Sequence, residues 1–219
     1  MSEEKRVFSC ADCTRLSCRA KQEENYPPFC LTKGVDHELL EETLELYKND
    51  EEVGNIARTA ALIEGEYYGK LTRVEETIEF IKRMGYKKIG IASCVGLMRE
   101  TGMLGKVLKA HGIDYYAVGC KTGAVDKTEI GVPNEKKLNK GCGHESMCNP
   151  VMQAKVLAAA GCDFNIMVGL CVGHDTLFLK YSEAPTTVLV VKDRVLQHNP
   201  AAALYGVGSM YSRFKEFGL

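Results

Sequence analysis

The sequence predicts an α/β fold in which a mainly parallel sheet is flanked by helices. After Gly85, short apolar runs of strand length alternate with segments that carry helical spacing or helix caps. Gly112 and Gly161 stand where two of those helices should end. Strands that alternate with helices pair in parallel, because each crossover helix returns the chain to the same edge of the sheet. We therefore predict a Rossmann-like α/β domain over residues 86–219.

Residues 1–34 form a cysteine-rich segment with almost no apolar periodicity. Such a segment cannot build a core from its own side chains, so another interaction has to fold it. Four thiolates close together in the chain can complete a tetrahedral zinc site or hold an iron–sulfur cluster. The four are Cys10, Cys13, Cys18 and Cys30. Their spacing matches neither common ferredoxin pattern, so we favour structural zinc, with scattered surface thiols as the alternative.

Residues 35–85 carry the pattern of three amphipathic helices, which we expect to pack on the core. Apolar residues recur there at helical spacing in three successive stripes. The stripes are Leu40, Leu44 and Tyr47, then Val53, Ile56, Ala57, Ala60 and Ile63, then Leu71, Val74, Ile78 and Ile81. Many acidic residues surround Lys48 in the first of these helices, which indicates a solvated face.

Four apolar runs after Gly85 are the predicted strands of the sheet. They are residues 88–93, 113–118, 164–170 and 186–191. Helical spacing or helix caps mark the segments between them, which are residues 97–111, 150–160 and about 175–182. The connection over residues 121–147 is unusually long, and long connections in compact domains are mostly functional or mobile. Its lysines are expected to be solvated, with a modest role in binding an anionic ligand as the alternative; they are Lys121, Lys127, Lys136 and Lys137.

Several cysteines lie where the predicted strands end. Cys94 follows the first strand, Cys120 the second and Cys171 the third, while Cys148 comes just before a helix whose positive dipole end stabilises a thiolate. The carboxyl ends of parallel strands share one edge, where ligands bind, so we expect these four cysteines to converge there and bind a second metal or cofactor. Burial as small apolar side chains is the alternative for each. Cys162, at the opposite edge, is interpreted as a core residue.

Histidines near these cysteines are candidate ligands or proton carriers. His174 follows Cys171 by three residues, and His144 lies between Cys142 and Cys148. Asp175 would either cap the next helix or orient an imidazole. His198 lies just before Asn199-Pro200, which marks the start of a helix. It could equally well form the turn there or belong to the site.

Three functions are compatible with this arrangement of thiols. The first is a metal-binding protein with the amino-terminal site and a cysteine-rich second site at the strand ends. The second is an iron–sulfur-dependent enzyme that performs redox or sulfur-transfer chemistry on a small molecule. The third is a reactive-thiol protein in which Cys148 or Cys171 attacks a substrate, with His174 or His144 as base. The sequence favours metal binding and leaves open whether the chain is an enzyme.

Composition and motifs argue against several other classes of protein. Lys and Arg total 28 and Asp and Glu 29, so a net charge of −1 provides no field to attract nucleic acid. Apolar runs such as residues 166–172 fall short of the roughly 20 residues of a membrane span. The charged opening lacks the apolar stretch of a secretory signal, so we expect a cytoplasmic protein, in which ten cysteines would rarely form disulfides. Phosphate-loop, dinucleotide, serine-hydrolase and zinc-protease motifs are missing, which leaves a metal ion and a small-molecule substrate as the expected partners.

Several segments resemble one known family. Besides the four amino-terminal cysteines, they are Ile-Gly-Ile-Ala-Ser-Cys-Val-Gly-Leu at 89–97, Met-Cys-Asn-Pro at 147–150, Gly-Leu-Cys-Val-Gly-His-Asp at 169–175 and Val-Lys-Asp-Arg-Val-Leu-Gln-His-Asn-Pro at 191–200. Over nearly its whole length the chain resembles the bacterial and archaeal family known as domain of unknown function 1847, which is described as metal-binding. The resemblance implies zinc at the four amino-terminal cysteines and implies no reaction. The family motifs include Cys94, Cys120, Cys148, Cys171, His174 and His198, and they leave the role of Cys142 open.

Overall fold

A computed structural model describes residues 8–140, 143–207 and 209–217 of the chain. The chain divides into two compact units, residues 1–62 and residues 63–219. In the part of the chain that the structure describes, no helix is both long and apolar enough to cross a lipid bilayer.

The first unit begins with three short 3-10 helical turns. They are Cys10–Asp12, Ser17–Ala20 and Glu23–Asn25. Among residues 8–34 only Tyr26 is buried, although the rings of Phe8 and Phe29 stack with their centroids 5.2 Å apart. Apolar burial of this extent contributes little folding free energy, as the sequence composition predicts.

Two helices follow, α1 (His37–Asn49) and α2 (Glu51–Tyr67), and α2 extends across the boundary between the units. The carboxylate of Asp36 accepts hydrogen bonds from the backbone N–H groups of Glu38 and Leu39, which caps α1. No residue of α1 is buried. Asp50 separates the helices and accepts a hydrogen bond from the N–H of Val53 in the first turn of α2.

The second unit contains a sheet whose strands are all parallel. Within the described residues the strands are β1 (Lys88–Ser93), β2 (Asp114–Gly119), β3 (Phe164–Val168) and β4 (Thr186–Val190). Their order across the sheet is β2-β1-β3-β4. The predicted mainly parallel sheet is confirmed, and each predicted strand overlaps an observed one.

Helices cover both faces of this sheet. They are α3 (Arg73–Met84), α4 (Met98–Ala110), α5 (Pro150–Ala159) and α6 (His174–Tyr181), and the short α7 (Ala201–Tyr205) follows β4. Helices α3 and α4 bury Ile81 and Leu108 against Ile89 and Ile166 on one face. Helices α5 and α6 pack on the other face through a second cluster of buried residues, Ala92, Val118, Ala154, Leu157, Met167 and Phe178. Neighbouring strand residues point to opposite faces, so each strand supplies both clusters and the unit is a three-layer, Rossmann-like α/β structure.

Local signals explain the ends of these helices. Thr72 and Glu75 form a reciprocal capping box at the start of α3. Gly85 ends that helix with a φ of 73°, a left-handed conformation that glycine adopts without strain. Asn149 caps α5 by accepting a hydrogen bond from the N–H of Met152, and Pro150 occupies the first helical position.

The strand order creates a switch point between β1 and β3. From β1 the chain runs outward to β2, and from β3 it runs outward to β4 in the opposite direction. Helix α4 follows β1 and helix α6 follows β3, and these helices lie on opposite faces of the sheet. The two connections therefore diverge above the carboxyl ends of β1 and β3, which is the position where ligands of such folds bind.

The connection between β2 and α5 is held by buried charges, and the expectation that its lysines are solvated is wrong for Lys121, Lys127 and Lys137. Lys137 is 2% exposed, and its Nζ donates to both carboxylate oxygens of Asp126 at 2.7 and 3.0 Å. Lys127 forms an ion pair with Glu145. Lys136 is exposed as predicted. The chain folds back on itself here, so acidic partners distant in sequence meet these lysines.

Candidate functional site

Three cysteines meet at the carboxyl edge of the sheet, and we call Cys94, Cys120 and Cys148 the thiol cluster. The N–H of Cys94 donates to the carbonyl of Val168 at 3.1 Å, which continues the pairing of β1 with β3 by one residue. Cys120 follows β2 and is 2% exposed, and Cys148 lies just before α5. All three pack against the core cluster beneath α5 and α6. Of the four cysteines that the sequence predicts to converge, these three lie together at the switch-point edge.

The Cys120 thiol donates a hydrogen bond to the Cys148 sulfur. This bond is the main cause that lowers the pKa of Cys148 to about 5, and the positive charges of Lys121 and His174 add to the effect while burial opposes it. The same bond, together with burial, raises the pKa of Cys120. The opposite directions of the two pKa shifts favour a proton on the Cys120 sulfur and the thiolate form of Cys148.

Two polar residues of the α5 segment fix this geometry. The backbone N–H of Asn149 donates to the carbonyl of Cys120 at 2.7 Å, which holds Cys148 beside it. The buried amide of Gln153 donates to the carbonyls of Ser93 and Val118, at 3.0 and 2.7 Å. Sequence reasoning missed Gln153, whose only signal is that it is a polar residue within a mostly apolar helix.

Cationic side chains surround the edge. Lys121, expected to be solvated, is half-buried and donates to the carbonyl of Ser146 and to the sulfur of Cys148. Lys192 approaches the turn after β1, since a Cβ atom at Gly96 would lie 3.9 Å from its Nζ and 3.8 Å from the Cys94 sulfur. No sequence pattern marked Lys192, because its position depends on the strand order.

Cys171 has a different partner from the thiol cluster. It follows β3 and is half-buried, and its sulfur accepts a hydrogen bond from Nη2 of Arg194 at 2.9 Å. Its carbonyl accepts hydrogen bonds from the N–H groups of His174 and Asp175, at the point where α6 begins. Cys162 lies at the opposite edge and is buried in the core as expected, and burial raises the pKa of its thiol.

The candidate histidines have different surroundings. His174 begins α6, its charge helps to lower the pKa of Cys148, and its Nδ1 atom is buried without a hydrogen-bond partner among the described residues. His144 contacts Asp126 and Ser146 in the long connection. His198 adopts a φ of 68°, and its Nδ1 accepts a hydrogen bond from the N–H of Asp193 at 3.2 Å, which is turn formation. Cys142 lies outside the described residues.

The amino-terminal cysteines are arranged by short turns. The N–H of Cys13 donates to the carbonyl of Cys10 at 3.2 Å, which closes the turn between these two cysteines. Cys18 and Cys30 lie near the Tyr26 phenol, where burial, Glu23 and these two thiols raise the pKa of the tyrosine. Burial acts to raise the pKa of Cys30, but hydrogen bonds from Thr32 and Lys33 lower it.

Both cysteine groups have the donor atoms that suit a metal ion, but their side chains are not arranged around a common point. Thiolates are preferred ligands of zinc and of iron–sulfur clusters. Within residues 8–140, 143–207 and 209–217, however, no group of three or more Cys, His, Asp or Glu side chains is placed to hold a metal ion. Ligation by either group therefore stays a prediction.

Comparisons with known proteins place the chain in a family. The model of the family described as "Protein of unknown function (DUF1847)" matches residues 30–189. A protein described as uncharacterized from Methanocaldococcus jannaschii is 51% identical over 178 residues, which cover 81% of this chain and 89% of that protein.

One solved structure shows a more distant similarity. The crystal structure of Dph2 from Pyrococcus horikoshii with a 4Fe-4S cluster has 19% sequence identity and a TM-score of 0.36, and the match covers 67% of this chain. The chain spans 33% of the length of that protein, and a similarity this low carries no inference about the site. The family match and the archaeal relative, by contrast, extend over most of the chain, and on their strength the chain belongs to the DUF1847 family of proteins of unknown function.

Proposed function

We propose that the chain is a reactive-thiol protein in which Cys148 acts as a nucleophile on a small molecule. The observation that carries this proposal is the hydrogen bond from the Cys120 thiol, which lowers the pKa of Cys148. Thiolates, rather than thiols, are the nucleophiles, so a cysteine that is anionic at neutral pH is prepared to react. A reducing compartment, such as the cytoplasm expected from the sequence, would keep this thiolate free.

The position of Cys148 suits attack on a bound molecule. In the proposed step, its sulfur forms a bond to an electrophilic atom while the bond from that atom to a leaving group breaks. The leaving group departs with the electron pair. The imidazolium form of His174, at the first residue of α6, is the candidate donor of the proton that the leaving group takes up. The switch point between β1 and β3 is the position where folds of this kind bind small molecules.

The test of this proposal is the pH dependence of Cys148 alkylation by iodoacetamide, with each modified cysteine located by peptide mass mapping. We expect a midpoint well below the ordinary thiol pKa of about 8.5. Replacing the donor, in Cys120→Ala, should raise the midpoint and slow alkylation of Cys148 about tenfold near neutral pH, because less thiolate is present.

Cys162→Ala is the matched control, since it also removes a buried cysteine that packs under α5, but at the opposite edge of the sheet. It should leave the midpoint of Cys148 unchanged. The proposal would be contradicted if Cys148 of the native protein is alkylated slowly across neutral pH. It would also be contradicted if the midpoint is the same in Cys120→Ala as in the native protein.

Soft-metal binding at the thiol cluster is the second candidate, and it keeps the sequence-based expectation of a zinc or iron–sulfur site at the strand ends. The charges of Cys94 and Cys148 both act on Cys120, which favours three neighbouring sulfurs as ligands. A bound ion requires these sulfurs to rotate toward a common point, so this function ranks second. Anoxically prepared protein that contains iron or zinc would support this function if the Cys94→Ser variant loses the metal. Protein without metal at the thiol cluster would contradict it.

We also propose structural zinc at the amino-terminal cysteines, Cys10, Cys13, Cys18 and Cys30. Four thiols match the ligand set that zinc prefers. The sparse burial within residues 8–34 supports this role, because metal binding can supply folding free energy that a missing core cannot.

A further inference from the structure

We propose that the substrate of Cys148 is anionic, a small molecule that carries a carboxylate or phosphate group beside its electrophilic atom. This inference rests on the proposed function and names its substrate class. It is carried by the ammonium group of a half-buried lysine that lies at the switch point without an anionic partner among the described residues, and by two further cations along the same edge of the sheet.

Lys192 supplies the unpaired ammonium. Its side chain is half-buried, and among the residues that the structure describes it forms no hydrogen bond and no ion pair. A Cβ atom at Gly96 would lie 3.9 Å from its Nζ, and one at Gly169 would lie 3.6 Å from its Cε. These glycines belong to the turns that follow β1 and β3, so the ammonium lies at the switch point. An ammonium that lies between these two turns without a counterion is available to bind an anion.

Lys121 and Arg194 add positive charge to the same edge. Lys121 hydrogen-bonds to Cys148, and Arg194 donates one N–H to the sulfur of Cys171. A guanidinium carries five donors in a planar fork, which matches the oxygens of carboxylates and phosphates. The structure therefore combines a reactive thiolate with donors that suit an oxyanion.

Two carboxylates in the turns at this edge do not neutralise these cations, namely Asp175 near Cys171 and Asp193 between Lys192 and Arg194. Asp175 accepts hydrogen bonds from the backbone and hydroxyl of Thr176 at the start of α6. Asp193 accepts from the N–H groups of Val195 and Leu196 within its own turn. Neither forms an ion pair within the described ranges, so the positive charge stays available to a ligand.

These cations have a simpler possible role, which is to stabilise the thiolates alone. The two roles differ in a measurable way. Stabilising the thiolate of Cys148 accelerates its reaction with neutral and anionic reagents equally, because both react with the same sulfur. Binding an anion accelerates only the anionic reagent, since the cations raise its local concentration and orient it. The ratio of the two rates therefore separates recognition of charge from reactivity.

The experiment compares iodoacetate with iodoacetamide, which are similar in size and differ in charge. In both reactions the sulfur of Cys148 forms a bond to carbon, the carbon–iodine bond breaks, and iodide leaves with the electron pair. The ratio of the iodoacetate rate to the iodoacetamide rate at Cys148, located by mass mapping, is divided by the same ratio for free cysteine. At low ionic strength we expect a value of about ten, because the edge attracts the anion.

Lys192→Met should lower this ratio about fivefold, since it removes the charge and keeps a flexible apolar stem. Lys106→Met is the matched control, because it removes an equal charge from the exposed face of α4 and should leave the ratio unchanged. If Lys192→Met does not fold, as judged by thermal denaturation, Arg194→Gln provides a second reduction of charge at the edge and should also lower the ratio.

The two proposals fail in different ways. A Cys148 that reacts fast with both reagents, in the ratio of free cysteine, would overturn the anionic substrate and leave the reactive thiol in place. A ratio that falls equally in Lys192→Met and Lys106→Met would also overturn it, because the effect would then be net charge alone. A Cys148 that reacts slowly with both reagents in the native protein would overturn both proposals.

Discussion

Gln153 shows how a single buried side chain organises the candidate site. Its amide lies at the carboxyl ends of β1 and β2 and donates to one main-chain carbonyl of each strand. Cys94 directly follows the first of these carbonyls, and Cys120 lies two residues after the second. The amide therefore joins the two strand ends to α5, the helix that presents Cys148.

Gln153→Leu should destabilise the protein by about 1–3 kcal/mol, because it removes two hydrogen bonds from buried carbonyls. Chemical denaturation measures the free energy of unfolding, and alkylation of Cys148 gives a second readout, since the cysteines lose their common support. The pKa of Cys148 should rise in this variant as the Cys120 thiol moves away.

Met152→Leu is the control for this change, because Met152 is the exposed neighbour of Gln153 on the same helix. It should alter the stability by less than about 0.5 kcal/mol. A Gln153→Leu variant as stable as Met152→Leu, with the pKa of Cys148 unchanged, would show that the amide holds nothing in place.

Some residues of this site could be predicted from the sequence, and others could not. Cys94 and Cys120 could be predicted, because a cysteine directly after an apolar run is visible in the sequence and strand ends of one parallel sheet share an edge. Lys192 follows β4 in a stretch without periodicity. Its approach to the turn after β1 depends on the order of strands, which no local pattern contains.

At the scale of elements, the predicted strands and helices agree with the structure where local signals define them. The strand at Lys88–Ser93 was predictable to the residue, because an apolar run lies between the helix-ending Gly85 and a cysteine turn. The connection between β2 and α5 was not predictable in the same way. Its folded form depends on Lys137 meeting Asp126 and on Lys127 meeting Glu145, pairings that spacing along the chain does not mark.

Lys137→Met should open the connection over residues 121–149 to proteases. The variant leaves the carboxylate of Asp126 without its buried cation, so the connection loses the contact that closes it. Limited proteolysis with thermolysin at neutral pH, followed by mass mapping, should show new cuts between β2 and α5. Lys136→Met is the matched control, since the neighbouring lysine is exposed, and it should add no cuts.

The same ion pair gives a dependence on pH with a defined sign. Hydrogen bonds from Lys137, Thr128 and Glu145 hold the pKa of Asp126 well below its ordinary range. A lowered pKa stabilises the folded form above the pKa of the unfolded aspartate, about 3.9, and this stabilisation is lost as the pH falls through the folded value. The native connection should therefore resist pepsin at about pH 4, whereas Lys137→Met should be cut. Equal cleavage of both proteins would contradict a closing role for the pair.

At the scale of the whole molecule, the topology turns separate strands into one site. Parallel pairing could be predicted from the alternation of strands and helices, and it explains why strand-end cysteines share an edge. The order β2-β1-β3-β4 could not, because it is decided by which strands pair and not by any one segment. That order places Cys94 and Lys192 at a switch point and thereby makes the edge a candidate binding site.

The proposed structural zinc makes a prediction about the amino-terminal segment and the sheet together. Protein treated with a chelator should lose one equivalent of zinc and become sensitive to trypsin at Arg15, Arg19, Lys21 and Lys33. Metal binding would supply the folding free energy of this segment, so its removal should unfold the segment. The thermal transition of the sheet, which has its own apolar core, should persist.

Two substitutions distinguish this zinc from metal elsewhere in the chain. Cys10→Ser should reduce the zinc content and expose the same trypsin sites without chelator, while Cys148→Ser should keep the zinc and the protection. A proteolysis pattern that the chelator leaves unchanged would rule out a metal that folds residues 8–34. Metal that Cys148→Ser loses would instead assign an ion to the thiol cluster and make soft-metal binding the leading function, because the thiolate that attacks electrophiles is also the form that ligates metals.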